Sequence, residues 1–174
     1  MTKSTSRPPV LGIAGWKNSG KTTLTERLIA ELTRRGLRVA SIKHAHHSFD
    51  VDHAGTDSAR HRAAGAREVA IISNVRIAHI RELKGEAEPA LDDMLGYFAP
   101  CDLVLVEGYK RVAIEKIEVR RLASRSQEPL ADTDAGVIAI AADHPVDSSR
   151  LPIFALDDVA AIAGFVEAWL AAKS

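Results

Sequence analysis

One short stretch combines glycines, a lysine and hydroxyl groups at the spacing of a phosphate-binding loop. Residues 15–22 read Gly-Trp-Lys-Asn-Ser-Gly-Lys-Thr, a complete G-x-x-x-x-G-K-[ST] match. The glycines let the backbone curl until successive N–H groups converge on phosphate oxygens. Lys21 can reach the β- and γ-phosphates, and the Thr22 hydroxyl can complete a magnesium shell. We therefore predict nucleotide contacts from Gly15, Trp16, Lys17, Asn18, Ser19, Gly20, Lys21, Thr22 and Thr23, with Lys21 also in a catalytic role.

An acidic residue at the end of a buried strand would supply the second magnesium contact. Residues 103–107 read Leu-Val-Leu-Val-Glu, and a continuous apolar run is typical of a strand buried on both faces. Glu107 would emerge beside the phosphate loop, whereas Asp102 precedes the strand and would lie at its far end. We therefore predict that Thr22 and Glu107 bind the metal.

Asp143 is a candidate for contact with the nucleobase. It follows a late apolar segment, residues 137–142, in the place where many GTP-binding P-loop proteins carry an Asp that accepts hydrogen bonds from guanine. The usual Asn-Lys before that Asp is missing. A second interpretation stays open, in which Asp143 caps a turn ahead of Pro145.

A polar, histidine-rich segment over residues 43–53 follows the second predicted strand. In a parallel sheet this places it at the carboxyl edge, alongside the phosphate loop. Three interpretations stay open for it: a loop that responds to nucleotide, a metal site, or a solvated loop. Asp50 or Asp52 could contact magnesium or orient an attacking water, which makes both candidate catalytic residues. The segment's other possible metal ligands are His44, His46, His47 and His53.

Apolar and amphipathic segments alternate along the chain and would position these residues. The periodicity predicts strands over 10–14, 38–42, 68–73, 76–83, 103–106, 117–121, 137–141 and 152–154, and helices over 21–35, 56–64, 88–98 and 157–170. The first strand, helix and strand form a βαβ unit. The pattern favours an α/β class, a three-layer P-loop NTPase fold with a largely parallel central sheet flanked by helices. Residues 1–9 are predicted to be a flexible tail and 10–174 one nucleotide-binding domain.

Composition narrows the class of protein further. The 174 residues carry 23 Lys plus Arg and 23 Asp plus Glu, and this balance argues against a general nucleic-acid or membrane binder. The single cysteine, Cys101, excludes an internal disulfide and a zinc site with several Cys ligands. No stretch reaches the roughly 18 apolar residues of a membrane helix. We expect a cytoplasmic protein.

Taken together, these motifs resemble the molybdopterin-guanine dinucleotide biosynthesis adaptor proteins, the MobB family of P-loop GTP-binding proteins. The resemblance covers about residues 10–121, and more loosely the rest of the chain. Beyond the phosphate loop, it rests on K-H-x-H-H-x-F-D-x-D at 43–52, on G-x-D-S-x-R-H-R-x-A-G-A at 55–66 and on V-E-G-Y-K at 106–110. The phosphate loop is generic to a superfamily, whereas the combined string through residue 66 is more specific.

The resemblance implies binding of GTP with Mg²⁺, weak intrinsic hydrolysis and a homodimer. It also implies partnership with the molybdopterin guanylyltransferase that attaches GMP to molybdopterin. By motif position, Gly15 to Thr23 become phosphate contacts and Glu107 the second acidic motif. A further hypothesis is that cationic residues contact an anion or the phosphate of a pterin precursor, with Lys43, His44, Arg60, Arg62 and Lys110 as the candidates.

Two rival functions stay open. No obvious arginine finger or glutamine follows Glu107, so slow turnover and a binding or delivery role are expected. A small-molecule kinase would need an arginine-rich lid, for which residues 120–125 are the sole candidate. A metallochaperone-type GTPase would use the histidine cluster around His46 and His47 to bind nickel or zinc.

Overall fold

The computed structural model describes residues 7–45, 49–147 and 150–173. Most of the predicted tail, residues 1–6, lies outside the described residues, as do His46 and His47 of the histidine-rich segment. The chain divides into two compact units, Met1–His44 with Tyr97–Ser174 as the first and Ala45–Gly96 as the second. The predicted domain boundaries stay a prediction.

The first unit is built on a six-stranded sheet in which every pairing is parallel. Its strands are β1 (Val10–Ala14), β2 (Val39–Lys43), β5 (Leu103–Glu107), β6 (Lys116–Arg120), β7 (Val137–Ala142) and β8 (Ile153–Ala155), in the order β2-β5-β1-β6-β7-β8. β1 therefore lies between the strand that ends in Glu107 and the strand that leads to residues 121–129. The predicted α/β class with a parallel central sheet is confirmed.

Two helices, the amphipathic α1 (Lys21–Arg34) and the largely apolar α4 (Val159–Ala171), pack on one face of this sheet. Apolar residues at helical spacing on α1 (Leu24, Leu28, Leu32) and on α4 (Ile162, Ala163, Val166) meet alternate strand residues such as Leu11, Ile13, Leu103, Leu105, Ile117 and Val119. All of these side chains are almost fully buried. Burial of this apolar surface is the main force that fixes β1 and α1, and with them the loop between the two.

The second unit consists of α2 (Asp57–Ala63), the antiparallel strands β3 (Glu68–Ile72) and β4 (Ile77–Arg81), and the short helix α3 (Leu91–Leu95). The Thr56 hydroxyl accepts a hydrogen bond from Ala59 N–H, so the predicted N-cap of α2 is confirmed. Gly65, at φ 111°, follows the helix end as expected.

The predicted helix over 88–98 is wrong in its length, because α3 spans only Leu91–Leu95. At its start the Asp93 carboxylate accepts a hydrogen bond from Ala90 N–H, which is a capping contact. At its end Gly96 occupies the C-cap, where a glycine offers little support for further turns. No helix in the described ranges combines the length and the apolar character needed to cross a membrane.

Candidate functional site

The phosphate loop connects β1 to α1 and has the strained backbone that its glycines allow. Gly20, at φ 91°, is the N-cap of α1, and Asn18 also has a positive φ of 67°. A Cβ atom at Gly15 would lie 2.5 Å from both Ser19 Oγ and the Val119 carbonyl oxygen. Any side chain at Gly15 would therefore distort the loop. The backbone at Gly15 and Gly20 thus has the glycine-dependent shape that the sequence predicted.

The interior of the loop is suited to an anion. Ser19 is 1% exposed, and its hydroxyl finds no hydrogen-bond partner among the described residues. Lys21 Nζ donates a hydrogen bond of 2.7 Å to the Trp16 carbonyl oxygen, which keeps the ammonium folded over the loop. A phosphate would offer oxygens to both groups while the N-terminus of α1 contributes its positive dipole end.

Thr22 and Glu107 form the second half of the site. Thr22 Oγ1 donates a hydrogen bond of 2.6 Å to Glu107 Oε1, although the two residues are 85 positions apart. Glu107 is 9% exposed and pairs in register with Lys43 on β2, whose ammonium lies 3.8 Å from the same carboxylate oxygen. A hydroxyl beside a carboxylate is the hard oxygen set that Mg²⁺ prefers, so these residues fit the metal.

The electrostatics of Lys21 reflect its crowded position. Burial lowers the pKa of its ammonium below the ordinary 10.5, and the nearby cations Lys110 and Lys43 lower it further, while Glu107 acts in the opposite direction. Three lysines, Lys21, Lys43 and Lys110, thus lie close enough to interact at this site. An incoming polyphosphate would relieve the repulsion between the ammonium groups.

Two contacts of Trp16 were not predicted from the sequence. The Lys110 ammonium lies 3.8 Å from the centroid of the Trp16 ring, a cation–π geometry. Trp16 Nε1 donates to the Glu128 carbonyl oxygen at 2.6 Å, and the Lys17 carbonyl oxygen accepts from Arg125 N–H at 3.0 Å. Two hydrogen bonds therefore connect residues 121–129 to the phosphate loop. No local sequence pattern predicts this connection.

A cleft of about 740 Å³ opens beside Gly20 and Thr23. Asp143 and Arg121 line it, together with apolar groups from β8 and the residue after it, including Phe154 and Leu156. Its mixture of apolar walls and a few polar groups is typical of small-molecule sites. The cleft lies on the β7 side of β1, the side opposite Glu107.

Asp143 is held in this cleft by its neighbours. Its carboxylate accepts hydrogen bonds from Leu122 N–H at 3.0 Å and Arg121 Nε at 3.3 Å, and it lies 2.9 Å from His144 Nδ1. The hydrogen bond with His144 is the largest of the effects that lower the pKa of Asp143. This geometry agrees with a role in holding a turn, and contact with a nucleobase stays a prediction.

In the second unit, the predicted catalytic acids surround an arginine. Arg62 pairs with Asp50 at 2.8 Å and with Glu82 at 2.7 Å, and Asp52 lies 3.8 Å away. The hydrogen bond from Arg62 lowers the pKa of Asp50, and the hydroxyl groups of Thr56 and Ser58 lower that of Asp52. Arg62 thus serves an ion-pair network, which leaves it less available for an external anion. The catalytic role of the two aspartates stays a prediction.

The remaining candidates differ in their surroundings. Arg60 is exposed and pairs loosely with Asp57 at 3.6 Å. The His44 ring packs against Tyr109 with centroids 4.6 Å apart. No cluster of three potential metal ligands occurs in residues 7–45, 49–147 and 150–173. Because His46 and His47 lie outside those ranges, the metal interpretation of their segment stays open.

The arginine-rich stretch 120–125 has fixed partners. Arg120 pairs with the buried Glu118 at 2.8 Å, and Arg121 lies 3.3 Å from Asp143. Glu118 also accepts hydrogen bonds from Leu130 and Ala131 N–H groups. These contacts give the stretch a structural role and do not support the kinase lid.

Comparisons with known proteins agree with this arrangement. The family model described as molybdopterin guanine dinucleotide synthesis protein B (MobB) matches residues 10–143. A molybdopterin-guanine dinucleotide biosynthesis adapter protein from Haemophilus influenzae is 40% identical over 164 residues, which cover 93% of this chain and 89% of the relative. The protein of the same name from Escherichia coli is 37% identical over 164 residues, covering 93% of each chain.

The fold is also found in experimental structures. The crystal structure of molybdopterin-guanine biosynthesis protein B (mobB) superposes with a TM-score of 0.72 at 30% identity, covering 92% of this chain and 98% of that one. A MobB homologue from Bacillus stearothermophilus gives a TM-score of 0.71 at 28% identity, covering 94% and 98%. The family match and these relatives extend over most of the sequence, including the phosphate loop and Glu107. This chain belongs to the MobB family.

Proposed function

We propose that this protein is a nucleotide-binding adaptor in molybdopterin guanine dinucleotide biosynthesis that binds GTP together with Mg²⁺. The adaptor role agrees with the names of its relatives. The nucleotide role is carried by one observation, the hydrogen bond between Thr22 and Glu107 beside a loop shaped for phosphate. The rival metallochaperone and kinase functions are not favoured by the family.

In this proposal, each part of the site has a separate task. Backbone N–H groups of residues 15–23 and the Lys21 ammonium bind the phosphates. Thr22 and Glu107 hold the magnesium, which neutralises phosphate charge when bound. The cleft beside Gly20 accepts the base, with Asp143 in reach of its edge.

Hydrolysis is expected to be slow. The cations that lower the pKa of Lys21 are Lys110 and Lys43, and Arg120 and Arg121 pair with Glu118 and Asp143. An arginine finger alone can contribute about 10³–10⁵ to the rate of phosphoryl transfer. A site without one is suited to binding and delivery of the nucleotide. The partner we propose is a molybdopterin guanylyltransferase, and the setting is the cytoplasm.

A homodimer is also part of the proposal. The tip of the β3–β4 hairpin exposes Ile72 and Ile77, a cross-strand pair with 72% of each side chain area accessible, and Val75 at 86%. An exposed apolar group of this kind marks protein–protein contacts. Ile72→Lys with Ile77→Lys should shift the dimer to monomer in light scattering, while Leu122→Lys, at another exposed apolar position, should not.

The nucleotide proposal is tested by the fluorescence of Trp16, which lies inside the phosphate loop. In a Trp169→Phe background, Trp16 is the sole indole. Titration with GTP and with ATP, each with Mg²⁺ and with EDTA, should give saturable changes that are tighter for GTP and stronger with the metal. Preference for ATP, or no saturable binding of either nucleotide, would contradict the proposal.

A further inference from the structure

We infer that Lys110 is a specificity-determining residue of the nucleotide site, which contacts the terminal phosphate and separates a nucleoside triphosphate from a diphosphate. This inference rests on the proposed function and assigns to one residue the discrimination between two forms of its ligand. The contact joins the ammonium of Lys110 to phosphate oxygens and changes no covalent bond.

The Lys110 ammonium lies against Trp16, a residue of the phosphate loop. The Lys110 ammonium lies 3.8 Å from the centroid of the Trp16 ring. The carbonyl oxygen of the same tryptophan accepts a hydrogen bond of 2.7 Å from Lys21 Nζ. One residue of the phosphate loop therefore holds two cations. Lys110 lies close enough to lower the pKa of Lys21. Two neighbouring ammonium groups repel each other, and an anion bound between them would offset that repulsion.

The Lys110 ammonium is available to an incoming anion. No carboxylate pairs with it within the part of the chain that the structure describes. Its contact with an aromatic face is weaker than a charge-assisted hydrogen bond to phosphate. A phosphate oxygen can therefore draw the ammonium from the ring without breaking an ion pair.

The order of the strands places Lys110 at one end of the candidate site. β1, which leads into the phosphate loop, has β5 on one side and β6 followed by β7 on the other. The cleft that would hold the base is lined from the β7 side by Asp143, whereas Glu107 ends β5. A nucleotide with its base in that cleft directs its phosphate chain toward β5. Lys110 follows Glu107 by three residues and so lies at the terminal-phosphate end.

The backbone of Lys110 is held by a buried neighbour. Lys116 on β6 is 1% exposed, and its ammonium donates to the Lys110 and Val112 carbonyl oxygens at 3.2 and 2.9 Å. The same ammonium pairs with Asp134 at 2.6 Å. This buried anchor fixes where the Lys110 side chain starts, while its flexible four-carbon stem remains able to move from the ring to a phosphate.

The inference is tested by the ratio of GTP to GDP affinity, measured by calorimetry so that Trp16 fluorescence plays no part. In the full chain, Lys110→Met should weaken GTP binding about tenfold and change GDP binding by less than about twofold. Lys110→Arg, which keeps the charge, should retain most of the discrimination. Arg111→Ala removes an exposed neighbouring cation and serves as the matched control, with no expected change.

Each other outcome has a defined meaning. Equal weakening of GTP and GDP in Lys110→Met would overturn the inference, because Lys110 would then act only by supporting Trp16. Unchanged affinity for both nucleotides would also overturn the inference. Lys110 would then be a candidate contact for a phosphate on a different ligand. Failure of the unmodified protein to bind GTP would instead refute the proposed function itself, so the two failures are distinguishable. Thermal unfolding followed by circular dichroism confirms that each variant is folded.

Discussion

The hydroxyl of Thr22 and the carboxylate of Glu107 lie 2.6 Å apart, joined by a hydrogen bond between the first turn of α1 and the last residue of β5. This contact exists because β1 and β5 pair in parallel register, with Ile13 opposite Glu107. Both strands therefore end at the same edge of the sheet. The pairing brings the proposed metal-binding hydroxyl and acid together, although 85 positions separate them in the chain.

Replacement of Glu107 by glutamine should uncouple nucleotide binding from magnesium. The amide oxygen in Glu107→Gln can still accept the Thr22 hydrogen bond, but the negative charge that attracts the cation is gone. Calorimetry should show GTP affinity about tenfold weaker with Mg²⁺ and nearly unchanged in EDTA. An unchanged affinity in Mg²⁺ would exclude Glu107 from the metal site.

Affinity for nucleotide should fall at alkaline pH because of Lys21. Burial lowers the pKa of its ammonium below 10.5, and the charged form is the one that binds phosphate. Below that pKa the lysine is charged and binding is strongest, and affinity decreases as the pH rises through it. Lys21→Arg, which stays charged in this range, should show a smaller fall between neutral pH and pH 9 in the same titration. A parallel fall in both proteins would assign the effect to another group.

The buried pair of Lys116 and Asp134 should respond asymmetrically to mutation. Lys116 is 1% exposed and Asp134 is 28% exposed on the side chain. Asp134→Ala strands a buried ammonium and should lower the free energy of unfolding by about 3 kcal/mol. Lys116→Met leaves a carboxylate that water can reach and should cost about 1 kcal/mol.

Urea unfolding followed by circular dichroism measures both changes. Val112→Ala provides a comparison, since it leaves the carbonyl oxygen that Lys116 contacts in place. Equal losses for the two charged-residue variants would show that water reaches the pair from both sides.

Arg38 and Asp102, which directly precede β2 and β5, form an ion pair whose contribution to stability should depend on pH. Arg38 donates hydrogen bonds to Asp102, which lower the pKa of that carboxyl from 3.8 to about 2. The stabilisation is therefore complete above about pH 4 and decreases as the pH falls toward 2. Its size at neutral pH is about 1 kcal/mol, as for a well-formed surface pair.

Comparison of the unmodified protein with Asp102→Asn by urea unfolding between pH 7 and pH 3 checks this. The difference in the free energy of unfolding should stay constant down to about pH 4 and then narrow. A difference that grows on acidification would contradict the sign of the pKa shift.

Local sequence pattern was enough to locate the elements that carry the candidate site. Apolar runs and helical spacing located β1 and α1, and the glycines at positions 15 and 20 predicted a phosphate loop between them. The position of Glu107 followed from one further rule, that a continuous apolar run is a buried strand whose end meets the carboxyl edge. The ends of helices were harder to predict from the sequence. In α3, the capping contact of Asp93 and the glycine at position 96 make the helix shorter than its apolar spacing indicates.

Contacts between residues far apart in the chain could be read from the folded structure alone. Three such contacts join residues that no sequence periodicity connects. They are the ion pair of Lys116 with Asp134, the hydrogen bond from Trp16 to Glu128, and the contact of Lys110 with the Trp16 ring. A buried lysine on β6 contradicts the usual preference of that residue for solvent, and its cost is offset by three acceptors that come together when the chain folds. Local pattern specifies elements because it depends on neighbours in the chain, whereas these contacts depend on strand order, which is set by burial across the whole sheet.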